Sequence, residues 1–385
     1  ELTGLRSAVP YLLVIILGLI IGRDRTRKAG TAAEDVPRPD HRQGLSPLRR
    51  RLPWVIFIVA FLAYSLDWLG IDGLGADTYT KTVIAQSLAM GIIFLSFVII
   101  TGMGGMVSLA QTTFVTAGGF AAGWALSRDW GIDLPLVASA GQINFLWAAV
   151  IGAVVAALLG ALIALPATRL GGVFLAIWSL AAAFFFSLVV FAYEPIGKGQ
   201  LGWTIRAPTL DVPGLNWVHD LLVKGDQPFF DFGQVEDQIL LFLGIFGLVT
   251  LMIYCLHHSP TGRAILAVRS SEVAARSSGI RANHVKVAIF ALSAAVAGLG
   301  GTLLGMFSFA ANNGTAPPLA GLFWLALAVT FGIRRPGGAL LAGLAFAAGT
   351  ALFHWLAGFV SGETLNDLIT SPYFIPILSG LGAIQ

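Results

Sequence analysis

The chain has 385 residues, of which 56% are hydrophobic and only 11% are charged, and its mean hydropathy is +0.82. Soluble domains carry about 25% charged residues, so the composition excludes an ordinary soluble globular domain and indicates a membrane protein. The basic balance, a net charge of +3, is interpreted as a sign of orientation in the membrane and not of a nucleic-acid partner.

Apolar runs follow one another along the chain, and a transmembrane helix needs about 20 such residues. The candidate spans are 8–21, 53–69, 82–101, 106–127, 144–165, 173–193, 239–257, 286–308, 319–333, 337–357 and 372–385. The runs at 8–21, 319–333 and 372–385 are the weakest, and each could be tilted, truncated or re-entrant. The predicted fold class is all-α: a polytopic helical membrane protein with about 10–11 transmembrane helices.

The basic residues lie almost entirely on one side of this predicted topology. Alternation of the spans places 22–52, Arg169, 258–286 and Arg334–Arg335 on one face, and these segments hold 17 of the 23 basic residues. The other face receives 15 of the 20 acidic residues. Loops rich in Lys and Arg stay in the cytoplasm, so the first face is predicted to be cytoplasmic. Residues 22–52, charged and Pro-containing, are predicted to be a cytoplasmic linker.

The longest external segment, 194–238, carries seven acidic and three basic residues together with several aromatic ones. Trp203, Trp217 and the pair Phe229–Phe230 either anchor the chain at the membrane interface or form a docking surface for an external partner. Both interpretations stay open at the level of sequence.

The sequence contains no Walker A motif, no His/Cys metal cluster and no nucleophile elbow. Its single cysteine, Cys255, excludes an internal disulfide and is interpreted as a small buried hydrophobe. The spans hold almost no ionisable groups, with Asp67 near a helix end as the nearest case. Because ion-coupled transporters keep such groups inside the bundle, this pattern argues against proton or sodium coupling and for energy supplied by another subunit.

A short polar stretch, "GRAILAVRSSEVAARSSGI" at 262–280, interrupts the apolar runs. Glu272 precedes Arg276 by four positions, which is a favourable helical pair, and Gly279 fits a helix stop. The stretch is either a short amphipathic helix parallel to the membrane or an ordinary basic loop that obeys the positive-inside rule.

The wider segment "SPTGRAILAVRSSEVAARSSGI", followed by "VKVAIFALSAAVAGLGGTLLG", resembles the cytoplasmic loop and next helix of branched-chain amino-acid ABC transporter permeases. The family form is S-P-x-G-R-A-x-x-A-x-R, then E-x-A-A-x3-G-I. The resemblance implies that this segment seats in a cleft of an ATP-binding subunit. It assigns ATPase coupling to residues on the motif and to Arg276, the helical partner of Glu272; they are Arg263, Arg269, Glu272, Ala274, Ala275, Arg276 and Gly279.

Three further stretches resemble the same family in the same order. "TGMGGMVSLAQTTFVTAGGF" at 101–120 matches through Gly102, Gly105, Val107, Ser108, Leu109 and Phe114. It departs by carrying Ala110 where glycine is usual and Gln111 where histidine or glutamine occurs. "GGVFLAIWSLA" at 171–181 and "FGIRRPGGALLAG" at 331–343 complete the set, although the latter carries Arg334 and Arg335 within the usual glycine-rich form. The resemblance covers roughly 80–385.

The polar residues of the second stretch are candidates for lining a translocation path. Hydroxyl and amide groups contact a zwitterion without trapping it, and nearby glycines leave the backbone reachable. The predicted path residues are Gly102, Gly105, Ser108, Gln111, Thr112 and Thr113. Hydrogen bonding between helices is the alternative role of these side chains.

The resemblance also implies a domain organisation. Residues 1–21 resemble the last helix of a companion permease unit, 22–52 is the cytoplasmic linker, and 53–385 is the importer permease domain. This domain has the external loop 194–238 and the cytoplasmic coupling loop 258–286. The chain thus resembles the back portion of a fused two-permease polypeptide.

The function implied is that of a transport subunit, not an enzyme, in an ATP-driven importer for branched-chain or related hydrophobic amino acids in the bacterial inner membrane. Its expected partners are a companion permease domain, two cytoplasmic ATP-binding subunits and an extracytoplasmic substrate-binding protein. ATP and magnesium belong to the ATPases, so neither a cofactor nor a metal is expected in this chain. The alternatives are an ABC permease for urea or short amides, a secondary transporter or channel, and a membrane scaffold.

Overall fold

The computed structural model describes residues 61, 78–128, 145–168, 170, 172–199, 201–210 and 230–359. The predicted spans 8–21 and 372–385 and the linker 22–52 lie outside the described residues, as does 53–69 apart from Phe61.

Helices make up most of the described chain. They are α1 (Thr78–Phe97, continued by a π-helical segment Val98–Met103), α2 (Gln111–Ser127), α3 (Phe145–Ala167), α4 (Val173–Phe185, continued by a π-helical segment Phe186–Val190), α5 (Glu194–Gly197), α6 (Val235–His258), α7 (Pro260–Ser270), α8 (Glu272–Ser277), α9 (Ala282–Phe307), α10 (Ala320–Phe331) and α11 (Pro336–Phe359). Five described helices are long and apolar enough to cross a membrane: Thr78–Met103, Phe145–Ala167, Val173–Val190, Val235–His258 and Ala282–Phe307. The all-α membrane fold predicted from the sequence is confirmed.

Eight of the predicted spans correspond to described helices, and the main boundary error falls on the span predicted at 106–127. Its helix, α2, begins only at Gln111. Gly105 takes a positive φ of 65°, a conformation that glycine adopts without steric cost and that a continuing helix does not allow. The apolar pattern of 106–110 gave no sign of this break, because a buried extended segment and a buried helix are equally apolar.

Helix α1 lies at the centre of the bundle and packs against α6, α9 and α11. Its side chains are buried without interruption from Leu88 to Ile100. A helix that is apolar on all sides is expected to be surrounded by protein or by lipid, and α1 is surrounded by protein.

The outer helices bury only one face. In α3 and α6 the side chains of Leu158 and Leu248 are 66% and 67% exposed, which in a membrane means contact with lipid or with another subunit. The interpretation of Cys255 as buried is wrong: it is exposed on α6. Its near neighbour Ile253 lies on the buried face, and two residues along a helix turn the side chain through about 200°.

Helices α2, α3 and α9 approach one another through glycine. A Cβ on Gly118 of α2 would lie 2.3 Å from the Cα of Gly298 in α9, and a Cβ on Gly152 of α3 would lie 2.6 Å from the carbonyl oxygen of Gly118. Small residues let membrane helices pack this closely, so these three helices form a tight unit that fixes the position of α2.

In the described part of the chain, four short strands lie in the segments that the sequence places outside the membrane. Trp203–Thr204 (β1) pairs antiparallel with Ala310–Ala311 (β4), and Thr209–Leu210 (β2) pairs antiparallel with Phe230–Asp231 (β3). The first pair joins the external loop to the connection between α9 and α10.

Contacts at the two ends of the bundle agree with the topology read from charge. At the predicted external end, Lys81 and Glu236 form a 2.9 Å ion pair, and Asn313 donates a 2.9 Å hydrogen bond to the carbonyl oxygen of Ser187. At the predicted cytoplasmic end, Arg269 donates a hydrogen bond to the carbonyl oxygen of Gly102. Each contact joins residues at the same end of the predicted topology.

Candidate functional site

The coupling segment, defined as residues 258–286, begins with a tightly capped turn. The side-chain oxygen of Ser259 accepts a 3.0 Å hydrogen bond from the backbone N–H of Gly262. Pro260 is the first residue of α7, where its missing N–H has no intrahelical partner to lose. A Cβ on Gly262 would lie 2.0 Å from the carbonyl oxygen of Leu256. The S-P-x-G part of the motif therefore sets the angle at which the segment leaves the membrane helix.

The coupling segment contains two helices and not the single amphipathic helix that is one of the two sequence interpretations. Ser271 is extended, and its side chain accepts a hydrogen bond from the N–H of Ala274, so that it caps α8. The predicted stop at Gly279 is confirmed: its φ is +83°, and Ile280 donates a 3.0 Å hydrogen bond back to the carbonyl oxygen of Ala275. Local capping by serine thus divides a stretch whose composition is helical throughout.

The predicted coupling residues divide into an exposed set and an inward set. The exposed residues are Arg263, Ala274, Arg276 and Gly279, and beside them Val273 is 63% exposed. Ala275 is buried against Val268 and Ala282. The exposed set therefore presents charged and small residues, with one apolar side chain, on a surface that the described residues leave open.

Glu272 fixes α8 to α9. Its two carboxylate oxygens lie 2.7 Å from a guanidinium nitrogen of Arg276 and 2.7 Å from Nζ of Lys286. Partial burial acts to raise the pKa of Glu272, but the hydrogen bond and charge of Lys286, together with Arg276, outweigh it and leave that pKa below the ordinary 4.5. The Glu272–Arg276 pair predicted from spacing is confirmed, and Lys286 joins it from the next helix.

Arg269 connects the coupling segment to the membrane bundle. Its guanidinium donates to the carbonyl oxygen of Gly102, 167 positions earlier in the chain. Its aliphatic stem covers Gly105, where a Cβ would lie 2.9 Å from Cγ of Arg269. The carbonyl groups at the end of α1 lack intrahelical partners, and a basic side chain there is favoured by the helix dipole.

The same end of α1 also contacts the connection between α10 and α11. A Cβ on Gly102 would lie 2.2 Å from the carbonyl oxygen of Ile333, so only glycine allows this approach. Ile333 belongs to the 331–343 stretch, and Gly102 belongs to the 101–120 stretch. Three of the four stretches that resemble one family thus meet at the cytoplasmic end of α1.

Between Met103 and Gln111 the chain turns back into the bundle without forming a helix. We call residues 104–110 the re-entrant segment. Leu109 donates its backbone N–H to the side-chain oxygen of Ser179 on α4 at 2.9 Å, and Ser108 accepts a 3.3 Å hydrogen bond from the N–H of Ala110. Non-helical backbone at membrane depth is tolerated only where protein buries it or where it lines a cavity.

Gln111 joins three helices inside the bundle. The hydroxyl of Ser96 on α1 shares its one hydrogen between the carbonyl oxygen of Ile93 at 2.6 Å and the amide oxygen of Gln111 at 3.1 Å. The amide nitrogen of Gln111 donates to the hydroxyl oxygen of Ser293 on α9 at 3.0 Å. Ser293 in turn donates to the backbone oxygen of Ser96 at 2.8 Å. All three side chains are fully buried. This polar cluster places the first residue of α2 level with Ser96, seven residues before the end of the Val98–Met103 segment.

The predicted path residues fall into two groups. Ser108, Gln111, Thr112 and Thr113 lie together at the start of α2, and all four are buried. Gly102 and Gly105 lie at the cytoplasmic end of α1, beneath Arg269. In the described conformation Gln111 makes hydrogen bonds between helices, which was the alternative role, and path lining by these residues stays a prediction.

Sequence reasoning missed the partners of these residues. Ser96, Ser179 and Ser293 are serines flanked by apolar residues within their helices, and such polar residues are a signal of interhelical bonding. The sequence does not say which serine meets which helix. Within the described residues no group of three His, Cys, Asp or Glu side chains is placed to hold a metal ion.

Comparison with known proteins supports the resemblance seen in the sequence. A family model described as "branched-chain amino acid transport system / permease component" matches residues 79–376. The high-affinity branched-chain amino acid transport system permease proteins LivM of Salmonella typhimurium and Escherichia coli K12 are each 28% identical over 277 residues. That alignment covers 68% of this chain and 59% of each relative.

A shorter similarity extends to permeases named for another cargo. The ribose import permease protein RbsC of Escherichia coli K12 is 31% identical over 138 residues, which is 36% of this chain and 41% of the relative. No solved structure matches the chain.

Proposed function

Because the chain belongs to the family of branched-chain amino acid transport system permease components, we propose that it is the transmembrane permease subunit of an ATP-driven importer. Its cargo is a branched-chain or related hydrophobic amino acid, which it receives from an extracytoplasmic binding protein and releases to the cytoplasm. It resides as a multi-pass protein in the bacterial inner membrane.

One observation carries the proposal: the coupling segment has an outward surface for a partner and an inward connection to the membrane bundle. Val273 on α8 is 63% exposed, and Gly279, two residues beyond the end of α8, is exposed as well. A helix with small and apolar residues on its open face suits a groove. Arg269 connects the preceding helix, α7, to the end of α1. A displacement of the coupling segment is thereby passed to the re-entrant segment.

The partner on the outward surface is one of two cytoplasmic ATP-binding subunits, which hold ATP and magnesium. Import needs two conformations, one open outward and one open inward. ATP binding and hydrolysis change which of the two has the lower free energy. Glu272 keeps α8 in register with α9 through Lys286, so the surface is presented in a fixed orientation.

The exposed apolar faces of the outer helices suit a companion permease domain as well as lipid. Leu158 and Val173 are 66% and 73% exposed on α3 and α4. One of these faces packs against the companion domain.

The test is uptake of radiolabelled leucine into vesicles that hold the full-length protein, its companion domain, both ATPases and the binding protein, with and without ATP. ATP-dependent accumulation of leucine is the expected result. Equal uptake without ATP would favour a channel or a secondary transporter. ATP-dependent uptake of urea or ribose in place of leucine would keep the importer and change its cargo.

A further inference from the structure

Helix α2 begins deep inside the bundle, and its first turn has donors without acceptors. Gln111 is level with Ser96, which precedes Met103 by seven residues, or roughly 10 Å at 1.5 Å per residue. The amino end of α2 thus lies well within the membrane. The N-cap residue, Ala110, has no side-chain oxygen to accept a hydrogen bond.

The backbone N–H groups of Gln111, Thr112 and Thr113 have no hydrogen-bond acceptor among the described residues. These residues are 0%, 0% and 3% exposed, so water does not reach them in this conformation. Buried backbone donors are nearly always paired, and a buried helix end without partners needs an explanation.

The hydroxyl group of Thr112 provides a second and independent sign of a ligand. Its oxygen is fully buried and has no hydrogen-bond partner within the described chain. Thr116, one turn later, is also buried, but it donates to the carbonyl oxygen of Thr112 at 3.1 Å. Thr112 is the second residue of α2, and side chains on a helix tilt toward its amino end, so this side chain belongs to the same turn as the unpaired N–H groups.

These groups are donors of the kind that suit a small anion. Unpaired N–H groups at the start of a helix carry about half a positive charge, and interrupted membrane helices direct such ends toward anionic groups of their substrates. Among the described residues no hydrogen bond or ion pair joins a carboxylate to Gln111, Thr112 or Thr113. A carboxylate accepts several hydrogen bonds at once and is the anionic group of an amino acid.

We propose that the α-carboxylate of the transported amino acid binds at the amino end of α2, to the N–H groups of Thr112 and Thr113 and the hydroxyl group of Thr112. This proposal rests on the proposed function and adds the place where the cargo is held. The backbone oxygen of Leu109, in the re-entrant segment, lies beside this site and accepts a hydrogen bond from the ammonium group of the cargo.

Helix α10 closes the site in the described conformation. A Cβ on Gly321 would lie 2.9 Å from the backbone oxygen of Leu109 and 3.5 Å from Cγ2 of Thr112. Cargo therefore enters when α10 separates from α2, and the glycine allows the close contact when the site is empty.

The experiment measures binding of tritiated leucine to the full complex in lipid nanodiscs, without the binding protein. Unlabelled leucine and leucinol, which lacks the carboxylate, compete for the site. We expect leucinol to compete at least about tenfold less well than leucine, since a hydrogen bond to a charged group is worth about 1.5–3 kcal/mol. Equal competition by leucinol would overturn the proposal, and this arm needs no variant.

Matched variants give a second arm. Thr112→Val removes the hydroxyl at nearly constant shape and is expected to weaken leucine binding about tenfold. Thr112→Ser keeps the hydroxyl, and Thr116→Val removes a neighbouring hydroxyl that is not part of the site. The leucine affinity of both variants should stay within about twofold of that of the unchanged protein. Equal affinity of Thr112→Val and Thr116→Val would overturn the site.

The two proposals fail in different ways. The complex could accumulate leucine with ATP and its binding protein but bind leucine and leucinol alike. That result would support the importer function and refute the carboxylate site. A complex that does not transport leucine under any condition loses the proposed cargo.

Discussion

Arg269 of the coupling segment donates a hydrogen bond to the carbonyl oxygen of Gly102 at the end of α1. This contact joins the region that faces the predicted ATPase to the point where α1 ends and the re-entrant segment begins. Packed side chains and hydrogen bonds of this kind carry energetic coupling between distant sites.

Gln111→Leu is expected to lower leucine uptake while protein level and ATPase binding remain unchanged. The change removes two buried hydrogen bonds, worth roughly 1 kcal/mol together in a membrane protein. It leaves no donor unpaired, since Ser96 still donates to Ile93 and Ser293 still donates to Ser96. Unchanged uptake would remove Gln111 from the path residues.

Gly279→Trp is expected to abolish association with the ATPases, because no described atom lies within 4 Å of a Cβ at this position and a large side chain would occupy the docking surface. The φ of +83° strains any side chain by about 1–2 kcal/mol. Gly279→Ala carries the same strain without the bulk and is the control. Co-purification of the ATPases is the measurement, and equal loss in both variants would assign the effect to strain.

Glu272→Gln is expected to lower the melting temperature of the complex slightly, since partly exposed ion pairs contribute about 0–1 kcal/mol. The pKa of Glu272 lies below its ordinary 4.5, so the ionised form is the one that the fold favours. The stabilisation is therefore full above pH 4.5 and is lost as the pH falls through the lowered pKa. The difference from the unchanged protein should be constant between pH 6 and 8 and disappear in stronger acid; a difference that grows on acidification would refute this.

Gly102→Ala is expected to destabilise the fold by about 1–3 kcal/mol, as overpacking of a filled site does, because the new Cβ would lie 2.2 Å from the carbonyl oxygen of Ile333. Gly247→Ala is the matched control, since a Cβ there meets no described atom within 4 Å, and alanine is the better helix former by up to about 1 kcal/mol. Thermal unfolding measures both. Similar melting temperatures of Gly102→Ala and Gly247→Ala would contradict this prediction and show that the α10–α11 connection moves aside without loss of stability.

The membrane fold could be predicted because its main signal, the apolar run, is local. The runs at 239–257 and 286–308 became α6 (Val235–His258) and α9 (Ala282–Phe307), which both begin four residues earlier and end within one residue of the prediction. The start of α2 could not be predicted, because its position depends on Gly105 turning back beneath Arg269, which is a contact between residues distant in sequence.

The candidate site was only partly predictable for the same reason. Capping residues such as Ser259 and the stop at Gly279 follow from local chemistry, and the sequence identified the stop. The bonds of Gln111 to Ser96 and Ser293 depend on which faces of three helices meet, and a single sequence holds no record of that.

The most direct test of the account is the number of leucine molecules accumulated per ATP hydrolysed in Arg269→Gln, with Arg281→Gln, an exposed basic residue of the same segment, as the control. Loss of a charged hydrogen bond between coupling segment and bundle should lower the ratio roughly tenfold while ATPase association persists. The control should keep the ratio of the unchanged protein. An unaltered ratio in Arg269→Gln would contradict the claim that this contact couples the ATPases to the membrane bundle.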